Sequence, residues 1–326
     1  MVAGPLLAGR AVPIGSDSDD PSPEGRVLRR VEQGLQGAAG ARDEDDQAGG
    51  QQVLRLGKGA SRQATGSRRG ARRSTARVRR MATPQRLLAV VQARTSSNRL
   101  PGKVLLPLGE ETVLGRVVRA VRASEAVDEV VVATSTSEDD DAVVAECERL
   151  GVAHVRGSLD DVLSRFLVAL DAHPADAVVR VTADCPLLDP ALLRTVTQVW
   201  RGVAGLDYLS TALVRTLPRG LDVEVVAAGA LRAVAAVATG HDRVHVTSYV
   251  YAHPEAHRLL GLTFAPVAGD LRVTLDTPQD WELVQAVVAA FGPRQPGARE
   301  LALWLRARPE VTALNADVQQ KPLEQG

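Results

Sequence analysis

The sequence predicts an α/β sandwich built on a mainly parallel sheet. Two observations carry this. From residue 86 onward, short runs of apolar, often β-branched residues alternate with amphipathic stretches of helical length. The runs are apolar almost throughout rather than at every second residue, as strands covered on both faces require. Strand and helix alternating at this spacing imply right-handed crossovers between parallel strands.

The elements follow in order. "RLLAVVQ" (86–92) is the first predicted strand and 112–123 the first helix. "EVVVATS" (129–135) is the second strand, followed by "SEDDDAVVAECERLG". There Ser137 is a candidate N-cap, acids fill the first turn and Gly151 closes a helix over 138–150. A helix at 159–172, the strand "DAVVRVTAD" (176–184) and a helix at 190–203 come next. "VHVTSYVYAHPE" (244–255) reads as a further helix. "LRVTLD" (271–276) reads as a strand leading into a helix over 276–291, with Pro278 suited to its first turn. The apolar stretch "ALRAVAAVA" (230–238) fits either the core or a homodimer interface. Residues 81–310 carry no internal repeat and read as one domain, with a loosely held tail over 311–326.

The 326 residues are 45% apolar and carry 39 bases against 39 acids. The balance hides an asymmetry: residues 1–80 hold 15 bases and 9 acids, leaving 24 and 30 for the rest. Within the first part, "GKGASRQATGSRRGARRSTARVRR" is basic and has no acid. Such a segment buries too little apolar surface to offset its ordering entropy, so 1–80 is expected to be disordered. Two readings stand: an arm for nucleic acid or a membrane surface, and a solvated extension ahead of a true start at Met81. The second is favoured, and nucleic acid is not expected as a partner. No apolar run approaches the roughly 18 residues of a membrane span. The opening "MVAGPLLAGRAVPIG" lacks the basic start of a signal peptide. Cys147 and Cys185 make no disulfide framework, which points to the cytoplasm.

In sheets of this kind, ligands bind outside the carboxyl ends of the strands. The loop "QARTSSNRLPGK" (92–103) leaves the first strand at that end. Arg94, Arg99 and Lys103 can converge there on a polyanion, with Thr95, Ser96 and Ser97 adding donors and Gly102 allowing a close approach. The spacing is neither that of a P-loop nor GxGxxG. Asp184 and Asp276 end predicted strands and emerge on the same side, as a pair of carboxylates facing a triphosphate-bound magnesium ion would. The bland reading of each is a helix N-cap. Cys185 reads as a small buried residue rather than a nucleophile.

Six stretches in order, "QARTSSNRLPGKVL", "RGSLDDVLSRF" (156–166), "RVTADCPLLDP" (180–190), "LPRGLDVEVV" (217–226), "HVTSYVY" (245–251) and "RVTLDTPQDW" (272–281), resemble the cytidylyltransferases that make CMP-activated sugar acids. The CMP-KDO and CMP-sialate synthetases belong to this group, and the spore coat polysaccharide type looks most similar. The resemblance spans about 86–291. It implies a Rossmann-like three-layer α/β/α sandwich of the nucleotide-diphospho-sugar transferase type. It also implies CMP transfer from CTP to a sugar or sugar acid, with pyrophosphate released, in surface or spore coat polysaccharide synthesis. By that likeness Lys103 and Arg94 serve catalysis, and Arg94, Ser97, Arg99 and Lys103 bind the nucleotide, with Asp161 and Arg165 lining its pocket. Asp184 and Asp276 carry Mg²⁺, and Arg219, Asp222, Glu224 and His245 face the acceptor. Asp222 and Glu224 are expected on opposite strand faces, so that at most one lines the site. His245 reads either as a base or, preferably, as a core histidine. The chain departs from the better-characterised synthetases in having Asp184-Cys185-Pro186 where they carry Asp-Glu-Pro, which leaves the acceptor open.

Two rivals remain at this stage. A glycosyltransferase would want an Asp-x-Asp motif, for which "EDDDA" (138–142) and "LDDV" (159–162) offer acids at helix starts. A non-catalytic nucleotide-binding module docked by its basic arm is the other.

Overall fold

The apolar runs become strands of a single mixed sheet in the computed structural model, which describes residues 52–55 and 85–320. The strands are β1 (Gln52–Arg55), β2 (Leu87–Gln92), β3 (Pro107–Leu108), β4 (Glu111–Thr112), β5 (Glu129–Ser135), β6 (Ala153–Gly157), β7 (Ala177–Thr182), β8 (Tyr208–Ser210), β9 (Glu224–Ala227) and β10 (Leu259–Thr263). Eight of them form the sheet in the order β1-β10-β8-β9-β7-β2-β5-β6, while β3 and β4 make a separate hairpin. Strands β6, β5, β2 and β7 run parallel, and β9 is antiparallel to both β7 and β8. Strand β2 lies at the centre, with Val90 level with Val131 on one side and Arg180 on the other.

The helices are α1 (Val113–Ala123), α2 (Asp141–Arg149), α3 (Val162–Ala172), α4 (Pro190–Gly202), α5 (Ala228–Ala235), α6 (His241–His245), α7 (Ser248–Ala252), α8 (Pro278–Phe291), α9 (Ala298–Arg306) and α10 (Pro309–Thr312). Side chains alternate across a strand. Leu87, Ala89 and Val91 therefore face a core built with α1, α2, α4, α8 and α9. Leu88 and Val90 face a second core with α3, α5 and α7. The result is three layers, helix, sheet, helix. Burying one such leucine stabilises the fold by about 1.5–3 kcal/mol.

Local chemistry sets the helix ends. Thr112 accepts from the Gly115 N–H at the start of α1, and Asp189 accepts from Ala191 ahead of α4. Thr277 and Asp280 cap α8 reciprocally. Ser137 precedes a 3-10 turn and its side chain caps nothing; Gly151 sits beyond α2 at φ 56°, as a helix-closing glycine does.

Three expectations change. Residues 271–276 are extended but form no strand; one bridge pairs Arg272 with Arg219. Their hydrogen bonds go instead to the connection at 219 and to the Asp184 carbonyl. The helix expected over 244–255 is broken into α6 and α7 at Val246, whose φ is 65°. In 230–238, Leu231 and Val234 are buried in the second core while Arg232 and Val237 are exposed, so one face of the stretch meets the core, one of its two expected places. Residues 311–315, within the tail expected to be loose, complete α10 and form a 3-10 turn, with Asn315 buried. The reading of 1–80 as a disordered extension lies outside the described residues, except for β1, which pairs antiparallel with β10.

Candidate active site

The loop after β2 is held open by its own hydrogen bonds. Gly102 takes φ 67° and its N–H donates to the Thr95 carbonyl at 2.9 Å. Asp140 anchors the other side, accepting from the Thr95 N–H at 2.7 Å and the Thr95 hydroxyl at 2.8 Å. Ser135 also donates to it. Burial opposes ionisation of Asp140, but the Ser135 and Thr95 hydrogen bonds prevail and hold its carboxyl below the ordinary value.

That loop delivers Lys103 to a shared point. Its Nζ donates to Asp184 Oδ2 and to Asp276 Oδ1, each at 2.7 Å. Lys103 is 8% exposed. Burial works to discharge it, yet Asp184 and then Asp276 raise its pKa above the ordinary lysine value. Asp276 also meets Arg99 at 3.2 Å and Arg272 at 2.7 Å. Against the opposing effect of burial, Lys103 first and Arg99 and Arg272 next lower its pKa. The two acids therefore gather beside the cationic loop, 81 and 173 residues from Lys103 in sequence. Ser97 accepts weakly from the Leu100 N–H at 3.4 Å. Among the described residues no carboxylate pairs with Arg94. It lies within electrostatic reach of Arg165, which is buried beneath Gly157. Burial, and then Arg94, lower the Arg165 pKa to about 10.

Residues 88–211 match the cytidylyltransferase family model. Over 235 residues the chain is 36% identical to the spore coat polysaccharide biosynthesis protein SpsF of Bacillus subtilis, covering 69% of this chain and 96% of that protein. The chain belongs to the cytidylyltransferase family. A second relative, the 3-deoxy-manno-octulosonate cytidylyltransferase of Synechococcus elongatus, is 34% identical over 119 residues, 36% of this chain and 47% of that one. A solved cytidylyltransferase from Leptospira borgpetersenii superposes with a TM-score of 0.68 at 27% identity, covering 73% of this chain and 100% of the other. The protein is thus a nucleotidyltransferase with the expected fold.

In this cytidylyltransferase the remaining expected residues take distinct places. Asp161 caps α3 through the Ser164 N–H at 2.9 Å and pairs with Arg243. Its partners are structural, as are those of Asp140 in the other acidic run. Glu224 is buried among Arg180, the Tyr208 hydroxyl at 2.6 Å and the Thr247 hydroxyl at 2.5 Å. Asp222 pairs with Arg215 at 2.8 Å. Asp222 and Glu224 part ways, though not through strand alternation, since residues two apart share a face; Asp222 lies ahead of β9, which starts at Glu224. Arg219 fixes its backbone to Leu271 and Val273. His245 ends α6, half-buried rather than in the core. Burial, and then Asp184, push the Cys185 thiol well up, consistent with an inert thiol.

Sequence reasoning missed Arg272 and Asp280. The Arg272 guanidinium joins Asp276 to Asp280, accepted by Asp280 at 2.9 and 3.0 Å. The regular spacing of Arg272, Asp276 and Asp280 was a readable signal, hidden because 271–276 reads as strand. Among the described residues, no three metal-type side chains gather. Asp184 and Asp276 nonetheless present hard oxygen donors to one point, now occupied by an ammonium, and that donor set fits magnesium, which takes one or two carboxylates and completes its shell with water and substrate oxygens.

Proposed function

We propose that this cytidylyltransferase transfers CMP from CTP to a hydroxyl of a sugar or sugar acid and releases pyrophosphate. The observation that carries the reading is the Lys103 ammonium held by Asp184 and Asp276 at the mouth of a cationic loop. In the proposed step the acceptor oxygen forms a bond to the α-phosphorus while the bond from that phosphorus to the β-phosphate bridging oxygen breaks. The hydroxyl proton passes to solvent. Such a reaction asks a protein chiefly for position and charge. Arg94, Arg99 and Lys103 grip the phosphates, and Lys103 and Arg94 offset charge growing on the departing pyrophosphate. Ser97 and Arg165 stand beside that grip, and Asp161 orders the wall through α3. A magnesium ion would be held by Asp184 and Asp276, and when bound it supplies positive charge at the phosphates. Arg219, Asp222 and His245 face the acceptor, while Glu224 shapes that side through Arg180 and Thr247.

The sugar-acid class is supported by likeness to the 3-deoxy-manno-octulosonate enzyme. A role in surface or spore coat polysaccharide is supported by the SpsF likeness. The cytoplasm suits the free cysteines, and among the described residues no helix is long and apolar enough to cross a membrane. The test is incubation with CTP and a panel of sugar acids, with Mg²⁺ supplied and withheld. Pyrophosphate should appear with the metal and fall by about 10²–10³-fold in Lys103→Ala. Release of a nucleoside diphosphate, or a Lys103→Ala enzyme as fast as wild type, would refute the assignment.

A further inference from the structure

The acidic run "EDDDA" (138–142) turns one carboxylate inward, against the loop that follows β2. Asp140 is 1% exposed, whereas Glu138 and Asp139 on either side of the turn are exposed. Its Oδ1 accepts from the Thr95 N–H at 2.7 Å and the Thr95 hydroxyl at 2.8 Å. Its Oδ2 accepts from the Ser135 N–H at 3.2 Å and the Ser135 hydroxyl at 2.5 Å. Two oxygens that each meet a backbone N–H require a carboxylate, because an amide turned either way would set its own N–H groups against one of those donors.

Thr95 is the hub of the loop. Its carbonyl accepts from the Ser97 N–H at 2.8 Å and the Gly102 N–H at 2.9 Å, so both limbs close on the residue that Asp140 holds. Arg94 directly precedes Thr95, Lys103 directly follows Gly102, and Arg99 lies on the span between. The segment carrying Asp140 is fixed in turn. Arg156 donates to the carbonyls of Ser135 and Ser137, each at 2.8 Å, and to Asp141 at 2.6 Å. Asp140 also lies within electrostatic reach of Arg165, where it offsets part of the repulsion from Arg94. A carboxylate beside a loop that gathers phosphates opposes the charge of its ligand. Its place there is explained by its hold on Thr95, not by contact with that ligand.

We propose that Asp140 is a positioning residue for the nucleotide: acting through Thr95, it presets the loop that carries Arg94, Arg99 and Lys103 and so sets the affinity for CTP. The inference rests on the reading of the protein as a CTP-dependent transferase. A loop ordered before the ligand arrives lowers the cost of ordering it on binding, so loss of that order is read in affinity.

Calorimetric titration of the full chain with CTP and Mg²⁺, beside hydrogen exchange read by mass spectrometry over residues 93–103, tests this. Asp140→Asn should weaken CTP binding by at least about tenfold, the weight of one hydrogen bond to a charged group. Exchange over 93–103 should quicken while β7 keeps its protection. Asp139→Asn removes the same charge from an exposed neighbour and should keep CTP affinity within about twofold. Thr95→Val keeps the N–H and the shape of the side chain but loses the hydroxyl bond. It should weaken CTP binding by about threefold or more, and it carries the test if Asp140→Asn fails to fold. A wild-type chain that binds no CTP would overturn the transferase reading and this inference together. Wild-type affinity that Asp140→Asn or Thr95→Val matches would overturn the positioning role alone. So would an equal loss of affinity in Asp139→Asn, a loss with loop exchange unchanged, or exchange that rises uniformly along the chain, which marks a merely structural role.

Discussion

Asp276 accepts from Lys103, Arg99 and Arg272, and the third of these connects it to the fully buried Asp280. The bridge needs a guanidinium, whose fork can serve two carboxylates, whereas an ammonium is a single point. Arg272→Lys should therefore lower stability by about 1–3 kcal/mol in urea unfolding and slow pyrophosphate release from CTP. A variant matching wild type in both would remove Arg272 from the support of Asp276. A second expectation concerns pH. Because the Asp140 carboxyl is held below its ordinary value, its contribution to stability is present above the ordinary carboxylate pKa and is lost as pH falls through the lowered folded value. The Tm gap between wild type and Asp140→Asn should accordingly narrow below about pH 4. A gap unchanged from neutral pH to pH 3 would contradict it. At this scale the meeting of Asp184 with the loop that carries Lys103 is legible, because Asp184 follows β7 and the loop leaves the neighbouring β2, whereas Asp276 joins them although 271–276 forms no strand. Glu224 was nominated as a contact for the acceptor, yet its neighbours are Arg180, Tyr208 and Thr247, a network no local pattern announces.

Among elements, the stretch 271–276 is the instructive failure. It has the composition of a strand, and its Val273 and Leu275 are fully buried, but its backbone is satisfied by the loop at 219 and by Asp184. Gly220 makes that approach possible. It sits at φ 105°, and a Cβ there would lie 2.5 Å from the Thr274 nitrogen and 2.8 Å from the Val273 carbonyl carbon. Neither contact is tolerable and both atoms are backbone. Gly220→Ala should cost about 2–4 kcal/mol in urea unfolding and displace Asp276 enough to reduce turnover. Near-wild-type stability would show that the two segments separate freely. Val246 makes the same point about helices: periodicity over 244–255 is helical, and the break comes from a turn in which the Thr247 N–H returns to the His245 carbonyl at 2.6 Å. That turn also leaves Thr247 donating to Glu224. Tertiary hydrogen bonding here overrides local propensity.

Across the whole molecule, chain ends bear on the centre. Asn315 donates to Asp280 Oδ1 at 2.8 Å and to the Arg272 carbonyl at 3.2 Å, so residues beyond α10 buttress the support of Asp276. At the other end, a passive extension over 1–80 predicts that its deletion leaves pyrophosphate release unchanged. A nucleic-acid arm predicts loss of a salt-sensitive affinity for nucleic acid on the same deletion. Gel-shift titrations at two salt concentrations, run beside the activity assay, separate the two.

Strand–helix alternation, the ends of α1, α3, α4 and α8 to within a few residues, the cationic loop and the acid that follows β7 are legible in the chain alone. Each of these depends on residues within a turn or two of chain, where periodicity and capping chemistry act. Only the folded arrangement lets one ammonium join Asp184 to Asp276 and Arg272 tie Asp276 to Asp280. Such pairings depend on the order and direction in which strands enter the sheet. Contacts across 81 or 173 residues leave no periodic trace in the chain that forms them.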